Sequence, residues 1–400
     1  MKLIKDSIIY VGGEILSKIM PFLLIPYLSR KLGVEGYGEL SYYQTFLALF
    51  AIIVSLSQDG AIARYFYVYG KRSLNLVLRS GYIYTSIIGI IIFAICALLQ
   101  STTLMFISFC AIFQSVIRVQ LSIRQCQKQS LSYILIQTSL AILSVVITIL
   151  LFEIYNANLI NLRFIAILLA NLLVFIGAFY FYKKQVNTQR KFNLKQYKIA
   201  FLYIVSFGLP LIFHHGSFFI KGQLDRFFIY HEYSEAQLGI YAMGANLAIV
   251  ITTLILAVNK AVVPYYFEAI KKNKITLKNI HVMSLISFLL VPLFFMVSYF
   301  VPEKLFLWVL GEQFVGVKYY FTIFSISSLL TVPYLFLVNY LFYYGKTNYI
   351  AMCSIISTIC YLLMLLGLLK VGVEYIPYAS IFAAISILPV LLFMTKKVSQ

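Results

Sequence analysis

Apolar stretches of about twenty residues, the length that spans a bilayer, recur from one end of the chain to the other. No other feature limits its possible folds so sharply. They fall at 7–29, 40–62, 80–100, 103–123, 133–152, 160–182, 199–220, 238–258, 281–301, 319–342, 349–369 and 376–395. Each can cross roughly 30 Å of hydrocarbon as a helix, and the strict alternation of barrel strands is missing. Only 11% of the 400 residues are charged, against 62% apolar, too few charges to cover a water-exposed surface. The expected class is an all-α polytopic membrane protein of about twelve transmembrane helices joined by short connections.

Basic residues set the expected orientation. With the N-terminus on the cytoplasmic side, 23 of the 32 Lys and Arg lie at inner positions and 8 at outer ones, while nine of the 13 acidic residues lie outside. This positive-inside bias also predicts an even number of spans, with both termini cytoplasmic. The net charge of +19 therefore reflects topology and not a nucleic-acid-binding face. The five cysteines form no CxxC pair and read as small apolar side chains, neither disulfides nor metal ligands. The start, MKLIKDSIIYVGGEILSKIM, has a basic tip but no convincing small-residue cleavage site, and it reads as a retained first helix.

The basic stretch KKQVNTQRKFNLKQYK at 183–198 divides six spans from six. We expect an N-terminal lobe over 1–182, a cytoplasmic linker over 183–198 and a C-terminal lobe over 199–400. A shift of 201 residues lays Gly239 on Gly38 and VNKAVVPYYF (258–267) on SQDGAIARYF (57–66), a faint internal repeat. Halves with an even number of spans keep the same orientation and are related by an axis along the membrane normal. Two such lobes would enclose a central cleft.

Ionisable groups in hydrocarbon cost on the order of 3 kcal/mol each, so they mark cavities or partners. Glu14 and Lys18 lie four apart and can share a helix face, either as a self-neutralising pair or as a pair facing the cleft. Gly12, Gly13, Pro21 and Pro26 make that helix bendable. Asp59 and Arg64 sit near the inner end of the second span, where a headgroup-level pair is equally consistent. The seventh span, FGLPLIFHHGSFFIKGQLDRFFI, carries Pro210, the adjacent His214 and His215, then Lys221, Asp225 and Arg226. Adjacent histidines cannot share a face, so at most one points into a cleft, either neutral and hydrogen-bonded or titrating. Lys260 can snorkel to the inner headgroups or reach the cleft. The tyrosine pairs at span ends fit an interfacial aromatic belt.

No catalytic pattern is present: there is no GxxxxGK[ST] phosphate loop, HExxH or GxSxG elbow, and the four histidines are scattered. No enzyme activity, cofactor or metal is expected. The stretches KIMPFLLIPYLSRKLGVEGYGELSYYQ (18–44), GLP (208–210), DRFFI (225–229), LGIYAMGANL (238–247) and LWVLGEQFVGV (307–317) carry a resemblance along nearly the whole chain. It resembles the Wzx-type O-antigen flippases, in the polysaccharide transporter branch of the multidrug/oligosaccharidyl-lipid/polysaccharide exporter superfamily.

That resemblance implies a MATE-like, V-shaped pair of six-helix lobes around a cationic central cavity. It implies movement of an undecaprenyl-diphosphate-linked oligosaccharide from the inner to the outer leaflet of a bacterial inner membrane, by alternating access coupled to an ion gradient. The implied associates are that lipid-linked oligosaccharide, membrane lipids, a polysaccharide polymerase and a chain-length regulator, with no nucleic acid. Cavity candidates are Lys18, Lys221, Arg226, Lys260 and Arg64; ion-coupling candidates are Glu14, Asp59, Asp225, His214 and His215. Export of another lipid-linked precursor or a small molecule, and a membrane-embedded polymerase or ligase, are the alternatives. A polymerase or ligase would be expected to carry a long outer loop, and the outer connections here reach about 17 residues at most.

Overall fold

A computed structural model describes residues 13, 17–71, 73–185 and 192–399. Among them the chain is all-α, with eleven helical spans long and apolar enough to cross a membrane. The expected first span, 7–29, falls partly outside the described residues; residues 17–23 are helical. Helix α1 (Ile25–Ser55) follows, then α2 (Gln58–Tyr69), α3 (Leu74–Leu98), α4 (Thr102–Cys126), α5 (Ser130–Ile154) and α6 (Leu159–Gln185). The later helices are α7 (Leu194–Glu232), α8 (Glu235–Lys271), α9 (Leu277–Ser287), α10 (Leu290–Phe300) and α11 (Glu303–Leu310). The last four are α12 (Val317–Leu329), α13 (Thr331–Tyr343), α14 (Thr347–Leu368) and α15 (Tyr378–Ser399).

Departures from simple spans have local causes. The expected outer connection around 30–39 is helix, kinked at Gly33 (φ 67°). The chain next breaks at Leu56 and Ser57, both left-handed (φ 44° and 50°), which ends α1 earlier than its hydropathy does. The ninth and tenth spans each split into two helices, and each break lies just before a proline, Pro292 or Pro333. A proline supplies no N–H to the preceding turn and its ring crowds the carbonyl four residues back. Pro210, in contrast, lies inside α7 without a break in the helix.

The chain forms two compact units: Met1–Leu28 with Tyr43–Gly216, and Ser29–Tyr42 with Ser217–Gln400. The boundary between these units falls inside α7, and a short piece of α1 belongs with the second unit. In the first unit α4 packs against α2, α3 and α6, and α5 packs along α6. Gly208 of the GLP stretch lies so close to the α1–α2 break that a Cβ there would be 2.1 Å from the Leu56 carbonyl oxygen.

In the second unit α8 packs along α12, α9 along α13, and α14 along α15. Segment 29–42 is fastened by Ser29 Oγ donating to the Leu310 carbonyl (2.7 Å) and by Tyr37 meeting Phe314 edge-on at 6.0 Å. Gly38 and Gly239, the pair aligned by the 201-residue shift, meet backbone to backbone. A Cβ on Gly38 would sit 1.9 Å from the Glu235 carbonyl oxygen and 2.9 Å from the Gly239 nitrogen. Only hydrogen at Cα permits that approach.

Candidate functional site

In the second unit α7 brings Lys221, Asp225 and Arg226 to one place. Lys221 and Asp225 are four residues apart and so share a helical face. Asp225 and Arg226 are both buried. Burial of a carboxylate in an apolar bundle is costly unless donors replace its water, and here several do. The Tyr241 hydroxyl donates to Asp225 Oδ2, and Tyr361 also bonds the carboxylate. The Arg226 backbone N–H donates to Oδ1 at 2.8 Å, and the neighbouring guanidinium adds opposite charge.

From there the network runs outward. Arg226 Nη2 donates to Asn246 Oδ1 (3.0 Å), and Asn246 Nδ2 donates to the Tyr37 hydroxyl (2.8 Å). Three helices thus converge on the pair: α8 through Tyr241 and Asn246, α14 through Tyr361, and segment 29–42 through Tyr37. The Tyr241 ring is held edge-on by Tyr320 at 5.4 Å and Phe324 at 5.1 Å.

Beside this network lies a cavity of about 210 Å³, lined by Lys221, Asp225, Arg226 and Tyr241 together with hydroxyl residues such as Thr252 and Ser328. Thr252 Oγ1 donates to Ser328 Oγ at 2.8 Å. Two cationic side chains against one carboxylate make the cavity cationic when all three are charged, and its hydroxyls can solvate an ion. It is suited to holding an anion and, through Asp225, to responding to a proton or cation.

The other sequence-derived candidates lie elsewhere. In the first unit Asp59 and Arg64 on α2 face the N-terminal part of α7. His215 is within electrostatic reach of Asp59, His214 and Arg118. The Arg64 guanidinium lies 6.0 Å from the ring centres of Tyr203 and Phe207, and Tyr203 Oη donates to the Ala61 carbonyl at 3.2 Å. The histidine rings are 5.8 Å apart. Lys18 and Lys260 are exposed side chains on the 17–23 helix and on α8. Glu14 lies outside the described residues.

Tyr37, Tyr241, Asn246 and Tyr361 are not among the site candidates read from the sequence. Three of them stand inside the stretches that carry the family resemblance, Tyr37 in LGVEGYG and Tyr241 and Asn246 in LGIYAMGANL. That was the available signal. Tyr361 had none, because a tyrosine within an apolar span reads as ordinary core.

Comparison with known proteins bears on the whole chain. The family model described as "Polysaccharide biosynthesis protein" matches residues 3–270. A Haemophilus influenzae protein described as "Lsg locus putative protein 1" is 55% identical over 400 residues, covering 100% of both chains. A second H. influenzae chain, an uncharacterized membrane protein, is 56% identical over 100% of this chain and 98% of its own. Among solved structures, an inward-facing multidrug resistance MATE transporter of the MOP superfamily superposes with a TM-score of 0.68 at 14% identity, over 96% of this chain and 93% of that one. A MOP superfamily transporter from Pyrococcus furiosus, reported with a binding pocket of reversed polarity, gives 0.61 at 16% identity over 100% and 96%. The fold is the MATE/MOP fold.

Proposed function

The chain belongs to the polysaccharide biosynthesis protein family, and we propose that the cationic cavity of its second unit receives the diphosphate of a lipid-linked oligosaccharide. As a family member with the MATE/MOP fold it is a Wzx-type flippase, a transporter and not an enzyme. The work of such a protein is not bond chemistry. A sugar chain and a diphosphate must pass a layer in which each uncompensated charge costs several kcal/mol, while the polyprenyl tail stays in the hydrocarbon.

The single observation that carries this reading is that Lys221, Arg226 and the buried Asp225 line one hydroxyl-bearing cavity within membrane-spanning helices. Arg226 is committed to Asn246, so Lys221 is the group that contacts the diphosphate, and Arg226 contributes field. Binding of a proton or cation at Asp225 removes its negative charge and so changes the cavity's charge between two states of the cycle. That links an ion gradient to the transport cycle. Asp59 and His215, both in the first unit, form a second ionisable group away from this cavity. The substrate is an undecaprenyl-diphosphate-linked repeat unit, moved from the cytoplasmic to the outer leaflet of a bacterial inner membrane. Both termini are cytoplasmic, and the polymerase and chain-length regulator act on the delivered unit.

Deleting the gene in its own host and assaying the leaflet of the accumulated lipid-linked unit tests the reading. Accumulation on the inner face supports it; accumulation of single units on the outer face points to a polymerase and ends it. Lys221→Ala is expected to lower transport on the order of tenfold, the value of one charged hydrogen bond, with Lys221→Arg restoring most of it. Native surface polysaccharide in the Lys221→Ala strain, at native protein level, would remove Lys221 from the mechanism.

A further inference from the structure

The first unit carries a groove of a different chemistry. It lies where α4 begins and where α5 passes into α6, has a volume of about 590 Å³, and is lined by Thr102, Phe106, Tyr155, Asn156, Asn158 and Asn161 with aliphatic side chains between them. That volume is within the roughly 300–1,000 Å³ typical of small-ligand sites. None of the residues that line it is charged.

Its polar side chains are the uncharged amides of three asparagines and the hydroxyls of Thr102 and Tyr155. Three asparagines fall within six residues of chain, 156–161, each able to donate twice and accept twice. Asn158 adopts the left-handed conformation (φ 54°), which turns the chain sharply into α6, and its carbonyl accepts the Leu162 N–H at 3.1 Å. Asn161 Oδ1 accepts from Thr103 Oγ1 at 2.6 Å; that bond fixes its orientation and leaves its NH₂ donors for another partner. Tyr155 is 55% exposed, so it offers a ring face and a phenol together. Amides bond paired hydroxyls in two directions, and an aromatic face packs against C–H groups. A neutral polyhydroxylated ring uses both together, and no charged side chain lines the groove to pair with an ion.

We propose that this groove is a saccharide subsite that holds a neutral sugar of the cargo on the outer face of the membrane. The inference rests on the lipid-linked oligosaccharide reading above and on the positive-inside orientation, which places the α3–α4 and α5–α6 connections outside.

The test uses the full chain in lipid nanodiscs and two probes: undecaprenyl diphosphate without sugar, and the lipid-free repeat-unit oligosaccharide cut from the host's own surface polysaccharide. Tyr155→Ala and Asn156→Ala, both at exposed positions, are each expected to weaken oligosaccharide binding at least tenfold and to leave undecaprenyl diphosphate binding as in the native chain. Oligosaccharide binding that neither change moves would place the sugar elsewhere and overturn the subsite while the transport reading stands. Equal loss of both probes would also overturn it, since a sugar subsite discriminates between them. Native protein that binds neither probe would sink the transport reading, and the subsite with it.

Discussion

Gly38→Ala is expected to destabilise the second unit strongly. The added methyl group would lie 1.9 Å from the Glu235 carbonyl oxygen and 2.9 Å from the Gly239 nitrogen. Both are backbone atoms, which cannot rotate aside as a side chain can. Overpacking usually costs 1–3 kcal/mol and more where nothing can give. We expect about 3 kcal/mol or more, hence a fall in Tm of roughly 6–12 °C for a unit of this size. Gly239→Ala should behave alike, because its Cβ would meet the Val34 carbonyl oxygen at 2.0 Å. Gly177→Ala is the control: nothing lies within 4 Å of its Cβ, and alanine in a helix gains up to about 1 kcal/mol. A thermal melt of the purified chain in detergent separates the three. If the Gly38→Ala and Gly177→Ala proteins melted together, the close approach of the two glycines would be refuted.

The second large effect is expected at Asp225, where two substitutions separate fold from transport. Asp225→Ala leaves the Tyr241 and Tyr361 hydroxyls and the Arg226 N–H without their acceptor and strands the adjacent guanidinium. Removing one partner from a buried charged network costs about 3–5 kcal/mol, so little folded protein should reach the membrane. Asp225→Asn keeps the shape and one acceptor oxygen, and its NH₂ can donate to a tyrosine oxygen. That variant should fold with a Tm within a few degrees of the native chain and yet transport at least tenfold less, having lost the charge that an arriving ion neutralises. Reconstitution in vesicles with fluorescent lipid-linked substrate measures the rate. Native transport by Asp225→Asn would show that the carboxylate is structural and that ion coupling lies elsewhere.

How far the fold could be read in advance depends on what each residue pattern reports. Apolar runs report the free energy of leaving water, so spans such as 103–123 and 349–369 correspond closely to α4 and α14. The same measure failed between 30 and 39. Arg30, Lys31, Glu35 and Glu39 look like an exit from the membrane, whereas the spacing of Gly33 and Gly38 encodes a kink and a backbone contact that hydropathy does not weigh. It failed again at α11, a helix inside an expected outer connection, where Trp308 is 75% exposed.

For the site, intramembrane charge was the informative signal, and it picked out Lys221, Asp225 and Arg226 because each is too costly to be there by accident. Their neutral partners carried no such mark. A tyrosine that satisfies a buried carboxylate and one that fills a gap are the same letter. Lys18 and Lys260 illustrate the converse: charge in an apolar context names a position worth asking about, but not its neighbours.

The placement of segment 29–42 has a consequence for biogenesis. This stretch leaves the ribosome well ahead of the residues it rests against, Glu235 and Gly239, which come some two hundred residues later. At 5–20 residues per second that is a wait of roughly ten to forty seconds. During this time a glycine-faced helix with nothing opposite it must be shielded by the insertion machinery or by lipid. A fragment ending at Gly216 would keep that face uncovered for good, so the two halves of the gene are not independent building blocks, and recombination between relatives at the midpoint would join surfaces that had never been selected together.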